Sequence, residues 1–349
     1  MSDQRLATGW VRTRSAASIG ALLALLAAAS YATVNALLRS VAADVDPFAG
    51  SLIRQIPLLV IAMAALIILR PAALRPRSVD FIGPKMVIVL MVAGVVSFLV
   101  GNVFLFSGLN WVGLAVATAA SQGGIVLGGT LVSALVLREP PTRWQLVGVI
   151  VVAVGLAVVA SPGFGNVQAG LLAVIGFLLS LAAGVCYTIS NAASRTVQRR
   201  PRTFITALAM TNLGGIIALT IAVAVRSGGR FDLVYSALTT SQILVLILAG
   251  AVNAVALASI TLAVRFTTVT AVSALSSLVI VFGIIIAWLV FHENIAVAVI
   301  VGAAIIIVGV VIAQVRPRAA AAVDAPDLDF PLEINHSADA IQVMEEGRK

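Results

Sequence analysis

Residues 138–155 begin Arg138-Glu139-Pro140-Pro141-Thr142-Arg143-Trp144-Gln145-Leu146-Val147-Gly148 and run on through apolar residues to Gly155. Residues 292–309 begin His292-Glu293-Asn294-Ile295-Ala296-Val297-Ala298-Val299-Ile300-Val301-Gly302 and run on to Gly309. Glu139 and Glu293, Gly148 and Gly302, and Gly155 and Gly309 share one offset of 154. A second match lies upstream, where Tyr31, Asn35 and Arg39 map onto Tyr187, Asn191 and Arg195 at an offset of 156. An internal repeat is the feature to find first, because missing it misreads the whole fold. Here it makes the chain two halves of like construction.

The composition says what surrounds those halves. Of 349 residues, 61% are hydrophobic and 10% charged, with a mean hydropathy of +1.12. Soluble domains carry about 25% charged residues, and no globular core could hide the apolar surplus. The solvent is therefore lipid. Apolar runs of about 17–25 residues suit helices crossing a hydrocarbon core of about 30 Å. Ten such runs are expected: 16–38, 47–69, 86–108, 112–137, 143–160, 168–192, 204–225, 237–262, 267–291 and 295–315. A barrel would need strands of about 9–11 residues with polar alternation, and these runs are longer and apolar throughout. The first run resembles a secretory signal, but its counterpart deep in the chain marks it as a retained helix.

Ten crossings divide the basic residues sharply. With the N-terminus inside, the inner segments near the spans hold 16 Lys and Arg and the outer loops hold 3 (Arg39, Arg226 and Arg230). Positive residues concentrate on the cytoplasmic side, so both termini are expected there. This distribution also explains the net charge of +8 without invoking nucleic acid. Five helices per half is an odd number, so the second half enters from the opposite face. The expected fold is all-α integral membrane, ten transmembrane helices as two inverted five-helix repeats. Its divisions are a cytoplasmic N-terminal tail at 1–15, repeats at 16–160 and 161–315, and an acidic, disordered cytoplasmic tail at 316–349. Inverted repeats are characteristic of secondary transporters. Lys is rare, with only Lys85 and Lys349, while Ala and Val abound; this points to a bacterial source and hence to a cytoplasmic (inner) membrane.

Each half also carries a recognisable pattern. The first has Gly108-Leu109-Asn110-Trp111, then Leu137-Arg138-Glu139, then Gln145-Leu146-Val147-Gly148 leading to Gly155. The second has Ala263-Val264-Arg265-Phe266-Thr267-Thr268, then Phe291-His292-Glu293, Gly302 and Gly309. Over about 16–315 the chain resembles the drug/metabolite transporter superfamily, in its EamA-type ten-helix branch. Arg54, in Leu52-Ile53-Arg54-Gln55, resembles the arginine of that family's second helix. Where the family often has a proline midway along the fourth and ninth helices, this chain has Ser121-Gln122-Gly123-Gly124 and Ser276-Ser277-Leu278-Val279. The resemblance implies a permease that moves small organic metabolites by alternating access, in efflux or exchange. The rivals are a multidrug exporter and a polytopic membrane protein without transport activity.

Every Asp, Glu and His lies in an expected loop or tail. No catalytic pair, metal cluster or cofactor loop is expected, and no midplane carboxylate to relay protons. Arg54 is the one charge inside a span. It either faces a cavity, attracting an anionic or zwitterionic solute, or snorkels to the headgroups. Tyr31/Asn35 and Tyr187/Asn191 each share a helix face at i,i+4. They read as polar groups near opposite membrane faces or as interhelical packing. Gln55, Asn102, Gln122, Asn212, Asn253, Ser273 and Ser276 are further pathway candidates. Glu139 and Glu293 are expected to serve the dipoles of the helices after them, and Gly123-Gly124 and Gly128-Gly129 to admit a close neighbour. Cys186, the single cysteine, reads as a packing residue.

Overall fold

A backbone in lipid has no water to bond, so each crossing segment must close its own hydrogen bonds. The structure, a computed structural model, describes residues 3–75, 78, 81–135, 141–161, 167–198 and 203–314; side chains at 3–16, 133, 135, 167–169, 194–198, 264–265 and 269–270 fall outside that description. Among the described residues there is no strand. The helices are α1 (Asp3–Val41), α2 (Pro47–Leu69), α3 (Pro84–Gly94), α4 (Asn102–Leu135), α5 (Arg143–Ala160), α6 (Val167–Gln198), α7 (Phe204–Ser227), α8 (Phe231–Ser236), α9 (Thr240–Phe266), α10 (Val269–Ser276), α11 (Val279–Leu289) and α12 (Val297–Ala313). A π-helical turn, Val95–Gly101, joins α3 to α4. The Arg138-Glu139 pair, the side chain of Arg195 and the acidic C-terminal tail lie outside the described residues.

Eight helical stretches are long and apolar enough to cross a membrane, and α12 adds a shorter apolar helix. One of the eight, Pro84–Val132, has 49 residues. At about 1.5 Å per residue it would reach ~73 Å if straight, more than twice the hydrocarbon thickness. It is not straight. Gly113 breaks it with φ 76° and ψ 177°. Before the break, Gly101 packs on Tyr187 and Gly108 on Ser180 and Gly176; after it, Gly124 packs on Leu181 and Gly184, and Gly128 on Val185. Positions along α6 fall and then rise again, so the chain doubles back at Gly113. The sequence suggests separate helices at 86–108 and 112–137 with a loop between. One residue suffices, because glycine tolerates positive φ and the Glu293 carboxylate occupies the space a Cβ would need, 2.7 Å away. The same carboxylate accepts the Leu114 N–H at 3.0 Å and 3.2 Å.

Large apolar side chains such as Ile68, Ile150, Val225 and Val297 face outward, whereas Ala24, Ala28, Ala32, Ala117, Ala119 and Ala120 are fully buried. Small residues between helices and large ones outside is how helices pack in lipid. The glycines of the repeat show it best. A Cβ on Gly155 would lie 2.9 Å from the Gly302 carbonyl oxygen, and one on Gly309 would lie 2.9 Å from that of Gly148. Gly148 therefore faces Gly309 and Gly155 faces Gly302, so α5 and α12 run antiparallel with their backbones in contact.

The remaining contacts obey the repeat. α1 packs on α9, and α6 packs on α3 and on the part of α4 before Gly113; α2 packs on α9 as α7 packs on α3; α2 meets α7 directly. Exchanging the halves turns each of these pairings into another of them, and the α2–α7 pairing into itself. The ninth expected run, 267–291, departs from a single helix: Ser277 and Leu278 separate α10 from α11. α8 is a short amphipathic turn in the loop between α7 and α9 that the apolar runs do not announce.

Two substitutions test this packing. Gly309→Leu should overpack the α5–α12 contact, at a cost of about 1–3 kcal/mol or more, while Val308→Leu on the outward face should be nearly neutral. Folded yield and melting temperature in detergent would compare them. Gly113→Ala meets both a positive φ, of order 1–3 kcal/mol, and the Glu293 carboxylate. It should lower the melting temperature more than alanine at Gly129, where the nearest heavy atom lies at 3.7 Å.

Candidate functional site

α2 begins with Pro47 at its first position and with the Asp46 side chain accepting the Phe48 N–H at 3.1 Å. From there its buried stripe runs Ser51, Arg54, Gln55, Leu58 and Ala62, while Ile56, Val60 and Ile61 face outward. Spacing of three and four places those residues on one face. Arg54 is thereby carried inward: it is 6% exposed and Gln55 is fully buried. It does not snorkel. A terminal N–H of Arg54 donates to Asn102 Oδ1 at 2.8 Å, and the Tyr187 hydroxyl donates to the same oxygen at 2.9 Å.

Local backbone features make this meeting possible. Asn102 comes directly after the π turn, and such turns carry an extra residue that re-aims the side chains beyond it. Gly101 lets α6 approach, because a Cβ there would lie 3.0 Å from the Tyr187 ring and 3.2 Å from Cys186. Pro57, inside α2, has no N–H to offer the carbonyl of Ile53. Gly250 of α9 presses against the Arg54 carbonyl and Pro57 at that point.

The cluster is underfilled with partners. Arg54 Nε, Asn102 Nδ2, both polar atoms of Gln55 and the Ser51 hydroxyl are buried without a hydrogen-bond partner. Native interiors pair nearly all buried polar groups, so each exception needs an explanation. The two carboxylates in described ion pairs are engaged elsewhere: Glu293 with Arg39 at 3.2 Å, Asp46 with Arg226 at 3.6 Å. Among the described residues Arg54 has no acidic partner.

The other candidates fall at varied places. Asn35 reaches Thr118 at 3.5 Å, and Gln122 and Ser273 are half-buried. Asn212 on α7 is fully buried with both polar atoms unpartnered, and Asn253 on α9 is buried. The Ser276 hydroxyl is buried and unpartnered where α10 ends. Asn191 is exposed, so the two Tyr–Asn pairs are not equivalent in their surroundings. Tyr187 is joined to Arg54 through Asn102, at the point where Gly101 lets α6 approach.

A second polar cluster sits at one end of the bundle. Glu293 joins Arg39 of α1 to the Leu114 N–H beyond the Gly113 break. A recess of about 290 Å³ opens there, lined by Arg39, Val112, Gly113, Glu293, Asn294 and Val299 among others. From the sequence, Glu293 is expected to serve the dipole of the helix after it; the carboxylate instead caps the arm after Gly113, which only the tertiary fold brings near. Gly113, Pro57 and the π turn have no place in the expectations drawn from the sequence. A glycine or proline inside an apolar run is the signal that flags the first two.

A search of curated proteins found no match. A crystal structure of a protein 18% identical in sequence aligns with a TM-score of 0.52, covering 86% of this chain and 96% of the other; at that identity the likeness concerns the fold. A profile of the EamA-like transporter family matches residues 18–161 and again 174–314. The two matches coincide with the two halves that the glycines and the helix pairings define, and the chain belongs to the EamA-like transporter family.

Proposed function

We propose that the chain is a secondary carrier of small organic metabolites, with ten crossings, both termini cytoplasmic, working by alternating access. The observation that carries this reading is the pairing pattern, in which exchanging the halves reproduces the helix contacts. An antiparallel α5–α12 pair that maps onto itself requires a pseudo-two-fold axis across the helices, as in transporters whose halves exchange roles between two gates. Ten crossings result from dividing Pro84–Val132 at Gly113 and counting α12. They put Arg39, Asp46, Gly113, Arg226 and Glu293 on one side, and these groups do touch pairwise.

On that reading the Arg39–Glu293–Leu114 contact closes the outer end, tying α1, the α4 turn and the α11–α12 loop together. In the sequence repeat, Arg195 and Glu139 stand at the positions of Arg39 and Glu293. Efflux or exchange is favoured over carboxylate-linked proton coupling, because the spans hold no acid to carry the proton. A multidrug exporter that holds cations would also need an acid, and the buried charge here has the opposite sign.

Reporters fused after Ser161 should read outside and those at Arg199 inside; a cytoplasmic signal at Ser161 would sink the ten-crossing arrangement. Flux of a metabolite panel into proteoliposomes, with and without a pH gradient, tests transport itself. In a Cys186→Ser background, Arg39→Cys with Glu293→Cys, bridged by a short bifunctional thiol reagent, should stop that flux. Cleaving the bridge should restore it. Unchanged flux in bridged protein would remove the outer-gate assignment.

A further inference from the structure

We propose that the Arg54–Asn102–Tyr187 cluster is an anion site, and that the substrate it takes is a small organic monoanion bearing a carboxylate. The proposal rests on the carrier reading and names its substrate class.

The hydrogen-bonding capacity left unused around Arg54 points to this chemistry. Asn102 Oδ1 accepts from both Arg54 and Tyr187, so both its lone pairs are spent. What remains on the bonded pair itself is donors only, Arg54 Nε and Asn102 Nδ2, with the Gln55 amide and the Ser51 hydroxyl on the same buried face of α2, all buried and unpartnered. A ligand group that only accepts fits this set, and an ionised carboxylate is such a group. The Nε edge of a guanidinium, together with a terminal N–H, offers a planar fork to two carboxylate oxygens.

Charge narrows the class further. Arg54 brings one positive charge, with no acid beside it among the described residues. A monocarboxylate cancels that charge. A dicarboxylate or a phosphate monoester would bring a second negative charge into a low-dielectric interior with nothing to meet it. An amino acid would carry an ammonium that needs a carboxylate, and the spans contain none. A cation would repel Arg54. The same arithmetic explains why the site is held by one arginine and amides and by no ion pair. A resident acid would neutralise Arg54 and leave the ligand nothing to neutralise.

An acid installed beside Arg54 should therefore displace the ligand. Asn102→Asp keeps the shape of the side chain and its oxygen toward Arg54, but provides the negative charge from within. The full chain, purified in detergent and reconstituted in liposomes, is challenged with benzoate and lactate, with succinate, with tetraethylammonium and with glucose. The monocarboxylates should raise the melting temperature of the wild type and cross the membrane, and the other three should do neither. Arg54→Gln should weaken both responses at least tenfold, with Arg54→Lys intermediate. Asn102→Asp should melt no lower than wild type and yet lose the benzoate and lactate responses.

A monocarboxylate response that survives in Asn102→Asp overturns the proposal. So does flux of glucose, succinate or tetraethylammonium in place of monocarboxylates; the carrier reading would then stand without this substrate class. Stabilisation by benzoate that depends on Arg54, with no flux of any solute, would instead remove the carrier reading and keep the anion site. Should Arg54→Gln fail to fold, the Asn102→Asp comparison decides alone, since a merely structural Arg54 would gain an ion pair there and lose nothing.

Discussion

Lipid offers no hydrophobic attraction between helices, since acyl chains solvate Leu and Ile as well as another helix does. Close backbone approach must therefore supply the packing. Everything in this bundle depends on that constraint. Gly148 and Gly155 of α5 meet Gly309 and Gly302 of α12, Gly124 of α4 meets Gly184 of α6, and Gly94 of α3 meets Thr211 of α7, in each case at distances where a Cβ would collide with backbone. These contacts set the helix pairings, and the pairings set which polar residues meet. Asn102 bonds to Tyr187 because Gly101 lets α6 come within reach.

Against that apolar background one buried charge stands out. Burying an arginine in a membrane helix costs up to about 2.5–3.5 kcal/mol on insertion scales, the value at a helix centre, and more in other treatments. Arg54 recovers part of this through Asn102, but a neutral amide oxygen does not cancel a full charge. Its Nε remains buried without a partner. The protein thus holds a group that its own side chains stabilise incompletely, beside Pro57, where the backbone ladder of α2 is already interrupted.

The other polar cluster shows the opposite economy. Glu293 meets a guanidinium and a backbone N–H at once, and its carboxylate also fills the space left by a missing side chain at Gly113. Three segments far apart in sequence are joined by one group, at an end of the bundle where loops leave the membrane. Ion pairs at such partly exposed ends are individually weak, which suits the gate that the carrier reading requires.

The fold class was legible in the sequence because it depends on quantities that composition and spacing report. Helix length is set by bilayer thickness, and the repeat by Gly148, Gly155, Gly302 and Gly309, which recur because backbone contact tolerates nothing larger. Arg54 stood out for the same reason, as the one charge in a span. What the sequence alone could not decide is which residues from different helices would meet. A single helix carries its own periodicity but not the identity of its neighbour. The 3.6-residue period puts Arg54 and Gln55 on the buried face without saying that Asn102 and Tyr187 lie opposite. The one-residue reversal at Gly113 and the cap from Glu293 are likewise decisions of tertiary structure. A positive φ in an apolar run has no signature until the group that fills the vacant Cβ space arrives from the distant loop before α12.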